Sequence, residues 1–125
     1  MVRPTPLLNN PLGTDHVGLT AYDAKWSNYG EYMQLFVNSV QAQWERILEQ
    51  SAIYPQPGTE VIVVFRMNAK GAISQIVKVQ SEGSHEAQAA CVSAITDRAP
   101  YGAWTEDMKA MLGQEQELTF HFTYY

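Results

Sequence analysis

Residues 59–81 read TEVIVVFRMNAKGAISQIVKVQS. In the first nine, Val61, Val63 and Phe65 fall on one face of an extended chain and Ile62 and Val64 on the other, because successive strand side chains point opposite ways. A strand apolar on both faces belongs in the middle of a sheet. Residues 68–71, NAKG, supply a hairpin turn in which Gly71 is free to take positive φ. Residues 72–81 return as a second strand. Its parity is broken, since Ile73 and Ile76 share no face in a regular strand, and a bulge near Gln75 reconciles them.

The last ten residues, QELTFHFTYY (116–125), alternate as well. Leu118, Phe120, Phe122 and Tyr124 lie on one face, and Glu117, Thr119, His121 and Tyr125 on the other. This third strand carries no Pro, Lys or Gly. Sheet edges are normally blunted by such residues, by bulges or by shortness. With the doubly apolar strand central, the strand order is 2-1-3 and the C-terminal strand is an edge.

Helices fill the intervals. From about Ser27 to Gln50, Met33, Phe36, Val37, Val40, Trp44, Ile47 and Leu48 recur at the helical period, with Trp26 and Tyr29 extending the stripe. Asn38, Gln41, Gln43, Glu45 and Glu49 lie off it, and Ser27 is the expected N-cap. The segment YPQPGT (54–59) stops this helix. Ser84 caps a second helix whose inward stripe is Ala87, Cys91, Ala94, Ile95 and Arg98. Thr105 caps a short third one, ended by Gly113. The expected fold is α+β, in two layers: a three-stranded antiparallel sheet with helices on one face, in the order α-β-β-α-(α)-β.

At 125 residues, the chain is sized for one domain, and 46% hydrophobic against 17% charged residues exclude a wholly disordered one. Thirteen acidic and eight basic residues give a net charge of -5, and the basic residues are scattered singly. No basic stripe exists for a phosphate backbone, so nucleic acid is not an expected partner. A single cysteine, Cys91, excludes an internal disulfide and a multi-cysteine metal site. His16, His85 and His121 lack metal-ligand spacing. Cys91 sits on an alanine-rich stripe with no base beside it, which reads as a small core residue. Trp44 reads as core and Trp104 as the anchor of the APYGAW loop (99–104), which leaves Trp26 as the one candidate sugar-stacking platform. No catalytic residues, metal ligands or cofactor are expected. Residues 1–22 read as a Pro-rich linker or extended arm and 23–125 as the domain. The opening MVRPTPLLNNPLG reads as the cut end of a longer protein.

The succession WERILEQSAIYPQPG, VIVVFRMNAKGAISQIVKVQSEG, EAQAACVSAI, APYGAW and QELTFHF resembles the C-terminal periplasmic domain of the TonB and TolA energy transducers of Gram-negative bacteria, over about residues 30 to 124. Two features depart from the pattern. Tyr54-Pro55 runs straight into QPGT, and Cys91 lacks the partner cysteine that TolA-like first strands often carry. The resemblance implies a non-enzymatic periplasmic module, with a membrane anchor expected upstream, that links an inner-membrane motor to an outer-membrane receptor or another envelope protein.

Binding by strand addition is expected along Leu118, Thr119, Phe120, His121, Phe122, Thr123, Tyr124 and Tyr125. Backbone groups of these residues would pair with the incoming peptide, and Thr119, His121, Thr123 and Tyr125 would add side-chain selectivity. A self-associating module or homodimer and a small-molecule-binding α+β domain are the alternatives. A deep polar pocket lined by perturbed titratable groups would favour the last.

Overall fold

Residues 17–21, 24–52 and 55–124 are described by the computed structural model. They run in the order β1 (Val17–Ala21), a 3-10 turn (Ala24–Tyr29), α1 (Gly30–Ser51), β2 (Glu60–Asn68), β3 (Ile73–Ser81), α2 (His85–Thr96), α3 (Glu106–Leu112) and β4 (Glu115–Tyr124). The fold is α+β. The three expected strands are β2, β3 and β4, antiparallel to their neighbours and in the expected 2-1-3 order. A fourth strand, β1, is added beyond β4, so the full sheet order is β1-β4-β2-β3.

The hairpin forms as its alternation dictates. Val61, Val63, Phe65 and Met67 are buried on one face of β2. Gly71 turns the chain at φ 79°, and a Cβ there would run into the backbone of Gly102. Two irregularities occur in β3 where one bulge was expected. The register slips between Val64 and Phe65 and again between Arg66 and Met67, leaving Val77 and Ser74 as the extra residues. With those two residues looped out, Ile73, Ile76 and Val79 all pack against the core.

On α1, Met33, Phe36, Val37, Val40, Trp44 and Leu48 are buried as the periodicity requires. Three details differ. The α-helix begins at Gly30, so Ser27 lies within the 3-10 turn and is not its N-cap. Trp26, Tyr29 and Tyr32 are spaced by three, the period of the tighter helix. The tighter turn accompanies full burial of Trp26, which stacks on Tyr32 at 5.9 Å and meets Trp104 edge-on at 5.5 Å. Gln41, expected off the stripe, is buried, and its amide donates to Glu45 Oε1 at 3.3 Å. Ser84 and Thr105 cap α2 and α3 by accepting from the amides of Ala87 and Met108. Arg98 lies past the end of α2 and is exposed, with its guanidinium on Gln43 Oε1 at 3.0 Å.

The helices cover one face of the sheet. The APYGAW loop is tied back to the hairpin turn by Tyr101 N–H to Gly71 O and Trp104 N–H to Ala69 O, both 2.8 Å. On the other face, Ile62, Val64 and Arg66 of β2 lie beside Thr119, His121 and Thr123 of β4, and all six are half-buried.

Candidate strand-accepting edge

The inner face of β4 is fully committed to the core. Leu118, Phe120, Phe122 and Tyr124 are each 2% exposed or less. Phe120 meets Phe36 and Phe65, each at 5.0 Å between ring centroids, and Trp44 stands edge-on to Phe122 at 4.8 Å. The strand ends on a polar knot. Tyr124 Oη accepts from Trp44 Nε1 at 3.0 Å, donates to Ala87 O at 3.4 Å and lies 3.5 Å from Cys91 Sγ. These side chains are therefore not available to a partner.

Burial pushes the Cys91 thiol up to about 12, and burial likewise raises Tyr124 and Tyr101. With Cys91 raised, the stability it contributes is fully present below the ordinary thiol range, about 8.5, and is lost as pH climbs from there through the folded value. Native protein treated with a thiol reagent at neutral pH should remain unlabelled until denaturant is added. Rapid labelling without denaturant would mean that α2 is registered differently.

The backbone of β4 divides by parity. Tyr124 N–H donates to Thr59 O at 2.8 Å, and Tyr124 O accepts from Gly58 N–H at 2.6 Å, so both its groups face the β2 side. Since the facing alternates along an antiparallel strand, Leu118, Phe120 and Phe122 also address β2. Glu117, Thr119, His121 and Thr123 address the outer edge. Of the eight residues expected to receive a partner strand, only the odd-numbered ones can offer it backbone groups, and Tyr125 lies outside the described residues.

The sequence reading expects that outer edge to be open, and along Phe120–Tyr124 it is not. β1 pairs antiparallel with it, Val17 opposite Tyr124 through Ala21 opposite Phe120. The physical reason is Leu19. It faces Phe122 in register and is 2% exposed within the core, so the arm gains a buried anchor as well as ladder bonds. Its sequence signal was the short alternation of Val17, Leu19 and Ala21 with Gly18 and Thr20. Beyond Phe120 no described strand continues, and the outward groups of Thr119 and Glu117 have no partner strand among the described residues.

The opposite edge of the sheet is β3. Its two irregularities bend it, Val77 is looped out, and Lys78 lies between them and the strand end, all features that discourage pairing with another strand. The two edges are thus protected by different means.

Other chemistry is sparse. Among the described residues no three His, Cys, Asp or Glu side chains are grouped to hold a metal ion. The hollow of about 530 Å³ near Glu60, Ile62, Gln80 and Thr123 is open to solvent, and the strongly raised groups, Cys91, Tyr101 and Tyr124, do not line it. No described helix is long and apolar enough to cross a membrane. Set against family models, curated proteins and solved structures, the chain finds no match.

Proposed function

We propose that this chain is a non-enzymatic protein–protein interaction module of the TonB/TolA-like kind. It would act in the periplasm, coupling an inner-membrane motor to an outer-membrane receptor or another envelope protein by strand addition along β4. Support comes from the order of motifs that resembles those transducer domains. The single observation that carries the reading is the outer edge of β4, which already holds a strand, β1, on its outward-facing groups. Main-chain ladder bonds supply affinity in such additions, and the side chains alternating along the strand supply selectivity. Thr119, His121 and Thr123, half-buried on the solvent face, provide that selectivity. His121 Nδ1 lies 3.8 Å from Glu60 Oε2, which offers a polar contact at the middle of the strand.

The test is site-specific photocrosslinking within the cell envelope. A photoreactive residue at Thr119 should capture a discrete envelope protein, and one at Lys78 on the β3 edge should not. Capture from both positions alike, or from neither, would remove β4 as the binding edge.

A further inference from the structure

The two sheet edges are protected in different ways. β3 is blunted by its own irregularities, whereas β4 has no Pro, Lys or bulge and is covered instead by five residues from the other end of the chain. Ladder bonds and one described core side chain, Leu19, hold that cover in place. It stops at Phe120, while β4 itself continues back to Glu115.

Resting on the reading of β4 as the partner's edge, we propose that β1 is an internal occupant of the partner's site, displaced by an extended peptide segment of the partner. The incoming strand pairs first with the outward backbone of Glu117 and Thr119, which no strand covers among the described residues. It then replaces β1 pair by pair toward Tyr124. Each ladder bond lost to β1 is regained with the newcomer, so the exchange passes through no state with the whole edge bare. The chemistry of β1 describes the peptide that fits. It runs antiparallel to β4 and places an apolar residue opposite Phe122, where Leu19 now sits. Next to that residue, opposite Thr123, comes a small residue such as Gly18. The stretch from Phe120 to Tyr124 is free only when β1 leaves, so the apparent affinity is reduced by the fraction of molecules in which β1 is released. That coverage also keeps an unblunted aromatic strand from pairing with other copies.

The probe is a synthetic peptide of residues 15–23, DHVGLTAYD, added to the full chain in its native form and as Leu19→Asp. An aspartate in the buried slot should eject β1, and it changes no residue of β2, β3 or β4. The variant should stay folded and bind the peptide at least about tenfold more tightly than the native chain. A peptide carrying aspartate in place of leucine should bind neither. Equal binding to both proteins, no binding to a folded variant, or a dimer of the variant that excludes the peptide would each overturn the proposal.

Hydrogen exchange on the native chain decides the case in which Leu19→Asp fails to fold. The amides of Gly18, Thr20, His121 and Thr123 should exchange by local opening, about tenfold or more faster than those of Phe120 and Phe122. Exchange of both sets only through global unfolding would make β1 an integral strand and end the displacement model. The peptide reads displacement alone, so its failure alongside a Thr119 crosslink would leave the interaction module standing.

Discussion

Trp44→Ala should abolish cooperative folding or take away most of the domain's stability. Trp44 is wholly buried on α1 and packs edge-on against both Phe122 and Tyr124, at 4.8 and 5.1 Å between centroids. Truncating such a side chain costs about 3–5 kcal/mol through lost transfer energy and the cavity left behind. The whole stability of a domain this size is about 5–15 kcal/mol. The loss has a second component, because Trp44 Nε1 donates to Tyr124 Oη in a buried setting.

Tyr124→Phe isolates that component. It keeps the ring and leaves both Trp44 Nε1 and Ala87 O without their hydroxyl partner, a cost of about 1–3 kcal/mol. Thermal melting followed by circular dichroism should therefore rank the proteins native, Tyr124→Phe, Trp44→Ala. A melting point for Trp44→Ala only a degree or two below native would show that the α1 stripe is not what holds β4 to the helices.

The features legible in the sequence are those set by neighbours along the chain. The caps at Ser84 and Thr105, the positive φ of Gly71 and the stripe of α1 each depend on a few adjacent residues, and each is found where expected. The slip in β3 is legible for the same reason, since Ile73 and Ile76 can share a face only if the register shifts. The features missed depend on distant partners. β1 is five residues long, contains a glycine, and finds its partner about a hundred residues away, so its short alternation is too brief to mark it as a strand. Trp26 sits where helical periodicity fades, and its place is fixed by Tyr32 and Trp104.

The site itself was half legible. The missing gatekeepers along β4 mark its outer side as unblunted. That pattern fits an open binding edge and a strand flanked on both sides equally well. Only the tertiary fold distinguishes them, and it shows β1 on Phe120 through Tyr124 with the Glu115 end uncovered among the described residues.

The parity of β4 leads to the other large effect. Phe120→Pro should unfold the domain, and Thr119→Pro should leave it folded. Proline has no N–H to donate and fixes φ near −65°, so inside a sheet it is tolerated only where that N–H faces away from the ladder. Phe120 shares the facing of Tyr124, whose N–H bonds to Thr59 O, so its own N–H points at β2, opposite Val63. Proline there removes a ladder bond between two central strands as well as a fully buried ring. Phe120→Ala serves as the control for the ring, at a cost of about 3–5 kcal/mol. The proline variant should be less stable again by about 1–3 kcal/mol, the cost of a buried carbonyl left without its donor.

Thr119 points its N–H the other way, past the end of β1. Thr119→Pro should keep a cooperative melt and native circular dichroism. It should also lose the first pairing position for an incoming strand, and with it capture of the proposed envelope partner. His121→Pro and Thr123→Pro should fall between, since each gives up one bond to β1 and none to β2. Equal unfolding at positions 119 and 120 would contradict the alternation read from Tyr124. A folded Thr119→Pro chain that still captures its partner undiminished would place the entry of that partner somewhere other than this edge.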